Sequence, residues 1–249
     1  MVTATRYVEP LREGGSLPAL MEAEDDGLYV VKLRGAGQGL APLVAEVIVG
    51  ELARTLGFRM PELVTVDVAH ELARAEPDPE IQELLANSAG VNLGVDFLPG
   101  ALPFTPAALA QIEPRLAADV VWLDALVTNV DRTPRNPNLL VWHGATWLID
   151  HGAALYRQHG PEPLANSARA PFPSIAEHVL LPVADSIADA DARLAGRALG
   201  AAQVAIEQVP EEWLGAEPSA RRADLSAYFQ QRLSTPRDFV KEAEDARGQ

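Results

Sequence analysis

Residues 128–142 read TNVDRTPRNPNLLVW. The eight positions 131–138 hold one Asp, two Asn, two Arg and two Pro, and they lie between an apolar helical pattern and an apolar strand pattern. Asp, Asn and Pro are turn-forming residues, so a solvated connection is the plain reading. The spacing offers another. Asp131 and Asn136 stand five apart in the loop, and Asp150 ends the next strand pair, in LIDHG. Carboxylate and amide oxygens delivered this way are hard ligands of the kind Mg2+ binds.

Outward from this stretch the elements can be read in both directions. Upstream, PAALAQIEPRLAADVVWLDALVTN places Ile112, Leu116, Val120, Leu123 and Val127 on one helical face, with Pro106 in the first turn. Downstream, NLLVW and TWLIDHG read as two short strands joined at HGA. From about 174 to 245 the chain is Ala- and Leu-rich helix, with breaks expected at Pro182, Gly200, Pro210, Pro218 and Pro236.

The first hundred residues are strand-rich. TATRYVEPL, PALMEAE and LYVVKL predict a three-stranded antiparallel meander, turned at Gly14 and Gly15 and again at DDG. LVAEVIVGELARTLGF is a helix, with Leu43, Val47, Leu52 and Leu56 at helical spacing and Gly57 as its stop. PELVTVDV and GVNLGVDFLPGAL are further strands, separated by a polar stretch, 71–88, with helix-forming character at PEIQELLAN. Pro99-Gly100 is the candidate hinge between two lobes.

Composition bounds the function. The chain has 249 residues, 48% of them apolar, enough for one large domain or two lobes. Twenty basic against thirty-five acidic residues, a net charge of −15, argue against nucleic acid and against anionic membrane surfaces as partners. The absence of cysteine excludes disulfides, thiolate metal sites and thiol catalysis. No signal-like N-terminus and no run of eighteen uncharged apolar residues is present, so a cytoplasmic protein is expected.

In protein kinases a loop Asp accepts the hydroxyl proton, an Asn five residues later holds a metal ion, and an Asp after a short hairpin holds the metals on the phosphates. Lys32 at a strand end, Glu46 in the next helix and the crossing at DFLPG precede the loop in the matching order. The sequence thus resembles the HipA-like kinase family, bacterial Ser/Thr kinases. TNVDRTPRN is similar to that family's catalytic loop, WLIDHGAAL to its metal-binding strand end, and VVKL, AEVIVGELARTLG and VDFLPG to its lysine strand, glutamate helix and adenine hinge. The match is to a short, single-domain branch; Thr133 and Pro134 stand where a His is common.

The resemblance implies ATP and Mg2+ as cofactors. It makes Asp131 the base or hydroxyl orienter, with Asn136 and Asp150 as metal ligands, Lys32 on the phosphates and Glu46 as its partner. Backbone groups around Asp96, Phe97 and Leu98 take the adenine, and the turn at Gly14, Gly15 and Ser16 is a further candidate for nucleotide binding. Arg132 pairs with a loop carboxylate or substrate, or else makes a structural pairing that orients the loop, and Arg135 faces the γ-phosphate or solvent. The expected fold is α+β, two-lobed and protein-kinase-like, with a small antiparallel-sheet N-lobe (1–99) and a mainly helical C-lobe (100–249), binding MgATP between them. The expected acceptor is a Ser or Thr hydroxyl of a protein. A nucleotide-binding pseudokinase and a small-molecule kinase satisfy the same residues. A hydrolase or metal protein does not: His143, His151 and His159 are eight apart, without an i, i+4 pair, and no Gly-x-Ser-x-Gly elbow occurs.

Overall fold

Five strands form the first sheet of the computed structural model, which describes residues 1–11, 17–37 and 39–248. Gly14, Gly15 and Ser16 lie outside the described residues. The chain divides into two compact units, Met1–Leu43 with Pro61–Gly100, and Val44–Met60 with Ala101–Gln249.

In the first unit β1 (Val2–Pro10), β2 (Ala19–Ala23) and β3 (Leu28–Lys32) make the antiparallel meander. The DDG turn is built by Asp25, whose carboxylate accepts from the Gly27 N–H at 3.0 Å and the Tyr29 hydroxyl at 2.8 Å. β4 (Leu63–Val68) and β5 (Gly90–Asp96) complete the sheet. It differs from the open antiparallel sheet expected: the order β1-β2-β3-β5-β4 closes into a barrel, because β1 pairs in parallel with β4, Val2 opposite Val66. The β1–β2 ladder carries two register shifts, between Ala4 and Arg6 and between Tyr7 and Glu9. Such irregularities bend and twist a strand, letting its two ends meet different neighbours. At Gly94 a β-carbon would lie 2.6 Å from a Val66 methyl, so any larger residue there would force its neighbours to shift. The stretch 71–88 is not a bare linker. A 3-10 turn (His70–Ala75) and α2 (Pro79–Asn87), capped by Asp78, bring Ala73, Ile81 and Leu85 onto the sheet's core residues Tyr7, Met21, Val31 and Val66.

The second unit holds most of α1 (Ala41–Leu56), which stops at Gly57 with φ 101. α3 (Pro114–Val127) is buried on nearly every side, including Trp122 and Asp124. The single long helix expected from Pro106 is interrupted: a 3-10 turn (Pro106–Gln111) ends at Ile112, and Glu113 is extended. Pro114 causes the break, since a proline excludes helical geometry from the residue before it. β6 (Leu102–Pro103), β7 (Leu139–Trp142) and β8 (Ala145–Leu148) form a second, antiparallel sheet, with His143 and Gly144 both left-handed in the β7–β8 turn. Where helix was expected to begin, at about 174, the chain instead makes short 3-10 turns, Pro173–Glu177 and Leu181–Val183. α4 (Ile187–Glu207) runs through Gly200 without a break. One glycine costs a helix only about 1 kcal/mol relative to alanine, and the burial of Ala198, Ala201, Ala202 and Ala205 offsets it. α5 (Pro218–Leu233) and α6 (Asp238–Arg247) complete the unit. Among the described residues no helix is long and apolar enough to cross a membrane.

Candidate active site

The loop after α3 starts from a fixed point. Tyr228 and Arg232 of α5 donate to the Leu126 carbonyl at 3.0 and 2.8 Å, and Arg232 also reaches the Ala125 carbonyl at 2.7 Å. These are carbonyls that a helix end leaves without intrahelical partners. Thr128 then turns the chain with φ 51, a strained value for a β-branched residue. Asn129 ties the start of the loop back to the helix. Its amide donates to Asp124 Oδ1 at 3.0 Å, and its carbonyl oxygen accepts the Asp131 N–H at 3.1 Å.

Asp131 and Asn136 meet directly: Asn136 Nδ2 donates to Asp131 Oδ2 at 2.7 Å. A residue that motif spacing does not single out joins them. Asn138 Nδ2 donates to the same Asp131 oxygen at 3.2 Å and to the Asp150 carbonyl at 3.4 Å. Asp150 itself ends the β7–β8 hairpin in a left-handed turn, φ 54. The Asn138 amide thus joins Asp131, itself bonded to Asn136, to the backbone of Asp150.

Arg132 is fully buried and faces inward. Its Nε donates to Asp124 Oδ2 at 2.5 Å, Nη1 to the Asn138 carbonyl at 2.5 Å, and Nη2 to His151 Nε2 at 2.9 Å. Of the two roles open to it, the pairing one matches this geometry, though the carboxylate comes from α3 and not from the loop. Because guanidinium only donates, His151 Nε2 must accept, which places the ring proton on Nδ1. His151 is thus a buried strut beside the Asp150 turn. Glu46 of α1 holds the same turn: Oε1 accepts the His151 and Gly152 N–H groups at 2.8 and 3.0 Å.

Asp124 also accepts from His178 Nε2 at 2.9 Å, while His178 Nδ1 accepts the Leu180 N–H at 3.1 Å. Both ring nitrogens are satisfied by the neutral form, and a second ring proton would face the Leu180 N–H. Burial pushes the His178 pKa down against the opposing pull of Asp124. For Asp124 burial pushes up, but the charge of Arg132 and the His178 hydrogen bond outweigh it and hold the carboxyl well below the usual range. Asp124 and His178 left no signal in the sequence, since one reads as a helix-face carboxylate and the other lies 54 residues away.

In the first unit, Lys32 ends β3 opposite Leu93. Neighbouring Val31 is in the core, so strand alternation turns Lys32 to the other face. At the end of β5 the Asp96 N–H donates to the Glu62 carbonyl and the Phe97 N–H to the Leu28 carbonyl, both at 2.9 Å. Partial burial, then Glu62 and Asp25, raise the Asp96 carboxyl pKa.

The chemistry of the donor set fits Mg2+. Asn136 donates its Nδ2 to Asp131, and its side-chain carbonyl oxygen is a hard ligand type, as is the Asp150 carboxylate. No cluster of three or more His, Asp or Glu side chains arranged for a metal occurs among the described residues. Two protein oxygens completed by phosphate and water are the usual Mg2+ arrangement at a nucleotide.

With this geometry in place, comparison with protein families finds a match to the HipA-like kinase model over residues 5–236. The chain belongs to the HipA-like kinase family. As a HipA-like kinase it is an α+β phosphotransferase-type protein. The fold is similar to that of a Helicobacter pylori proinflammatory kinase, CtkA: TM-score 0.58 and 13% identity, covering 96% of this chain and 97% of that one. No curated protein matches the HipA-like chain significantly.

Proposed function

We propose that this HipA-like kinase transfers the γ-phosphoryl group of ATP, with Mg2+, to a Ser or Thr hydroxyl of a protein in the cytoplasm. The observation that carries the reading is the contact of Asp131 with Asn136, in a loop whose neighbour Arg132 is buried against Asp124. Residues 1–99 are assigned to the nucleotide and 100–249 to the transfer. Lys32 takes the phosphates, and Glu46 supports it while holding the 151–152 turn. With the Asp96 and Phe97 N–H groups committed to the sheet, the Leu98 N–H and the Asp96 carbonyl are assigned to the adenine edge.

Asn136 and Asp150 would hold Mg2+, whose charge when bound offsets that of the phosphates. Asp131 accepts the hydrogen bond of the incoming hydroxyl and orients its oxygen. The acceptor oxygen bonds to the γ-phosphorus, the bond from that phosphorus to the β–γ bridging oxygen breaks, ADP leaves, and the hydroxyl proton passes to Asp131.

Thermal unfolding with ATP, with and without Mg2+, tests the reading on the wild type and on Asp150→Ala. Stabilisation by MgATP that Asp150→Ala loses supports it. A folded wild type that MgATP leaves unshifted refutes it.

A further inference from the structure

Resting on the phosphotransferase reading, we infer that Asn138 is a positioning residue that fixes which oxygen of Asp131 meets the acceptor and sets the spacing of that oxygen from the metal turn. Four groups converge on Asn138. Its side-chain Nδ2 donates to Asp131 Oδ2 at 3.2 Å and to the Asp150 carbonyl at 3.4 Å. Its own carbonyl accepts Arg132 Nη1 at 2.5 Å and the Ile149 N–H at 3.1 Å. A primary amide carries two hydrogens, so both side-chain bonds can be made at once.

The consequence for Asp131 is asymmetric. Oδ2 receives two amide donors, from Asn136 and Asn138, which occupy the directions in which that oxygen best accepts. The carboxylate is pinned through Oδ2, and Oδ1 is the working oxygen toward an incoming hydroxyl. Asn136 cannot do this alone, because one bond leaves the carboxylate free to swing about it. The residue type is set by the backbone as well. Asn138 sits at φ 50, where Asn is among the few non-glycine residues tolerated, and it is almost fully buried. Aspartate has the same shape and tolerance, but it would set a third acceptor against Asp131 Oδ2 and the Asp150 carbonyl. Asparagine alone joins left-handed backbone to two short-reach donors.

The test uses the full chain and needs no identified acceptor, because water replaces the hydroxyl: phosphate release from MgATP is followed at steady state. Asn138→Gly keeps the left-handed backbone and removes the amide; Asn138→Asp keeps the shape and removes the donors. The expected result is a wild type that releases phosphate and an Asn138→Gly chain, folded by circular dichroism, whose kcat falls roughly 10- to 100-fold at an unchanged KM for MgATP. Asn138→Asp falls at least as far. Wild-type kcat in Asn138→Gly overturns the inference alone, as does a loss seen only in KM or only in proportion to unfolded protein. No phosphate release from the wild type overturns the phosphotransferase reading, and this inference with it.

Discussion

Arg132 and Asp124 form an ion pair at 2.5 Å with both side chains at 0% exposure, joining the loop that bears Asp131 to the last turn of α3. A buried pair has already lost its hydration, so removing one partner leaves the other charge uncompensated. Asp124→Asn is expected to lower stability by about 3–5 kcal/mol, measured by urea unfolding, whereas a double change to apolar residues of similar volume costs much less. An Asp124→Asn protein as stable as the wild type would show that the pair contributes nothing to the fold.

Acid should weaken the protein in two steps. Unfolded His titrates near pH 6.5 and unfolded Asp near 3.9, to within about a unit, and both His178 and Asp124 have folded values below these. As the pH falls through the unfolded His value, the unfolded chain takes up a proton that folded His178 refuses, and stability begins to drop. Asp124 adds its loss lower down, from the unfolded Asp value toward its depressed folded one. His178→Gln should flatten the upper step and leave the lower, as read from urea midpoints between pH 7.5 and 4.

Glu46 can be probed where it acts. Its carboxylate is 1% exposed and accepts two backbone N–H groups. Hydrogen bonds to a charged group contribute about 1.5–3 kcal/mol each. Glu46→Ala should therefore speed amide hydrogen exchange at His151 and Gly152 selectively, with Glu46→Gln intermediate. Unchanged exchange at those two amides would count against the role assigned to Glu46.

Asp131→Asn should preserve the fold, since an Asn carbonyl can still accept from Asn136 and Asn138. Removing the proton acceptor is expected to slow phosphate release by roughly 10²- to 10⁴-fold while MgATP still raises the melting temperature. Full activity in this variant would remove Asp131 from the chemistry.

Gly94→Ala tests the first unit alone. The added methyl would meet Val66 at 2.6 Å and Val64 at 3.0 Å. Overpacking of this kind costs about 1–3 kcal/mol, visible as a lowered urea midpoint.

The elements with short-range signals were legible. β1 to β3 announced themselves by β-branched runs and the DDG turn, α1 by Leu43, Val47, Leu52 and Leu56 ahead of Gly57, and β7 and β8 by the turn between them. Asp131 and Asn136 stood out for the same reason, as both lie in one loop, but their bond to each other is a structural finding. The features that escaped depend on partners remote in sequence. Alternation says which side of β1 is buried, never that Val2 lies beside Val66. Asp124 looked like any helix carboxylate until Arg132 and His178 were brought to it. Asn138 was hidden differently: in a loop already rich in polar residues, its left-handed backbone and its reach to Asp150 are three-dimensional facts. Pro114 and Gly200 were weighed oppositely by local rules and by burial, and burial decided for the glycine.

The closure of β1 on β4 also constrains how the protein is made. Residues 44–60, which belong to the second unit, are synthesised between the two halves of the first. β1 leaves the ribosome early and stays without its parallel neighbour until β4 has emerged. Joining strand ends so distant along the chain carries a closure entropy that local pairings do not. A nascent chain halted before β4 leaves the Val2–Thr3 end of β1 without its parallel partner, an unpaired edge open to association with other chains. The second unit is likewise incomplete at that stage, so neither unit can finish before the other has begun.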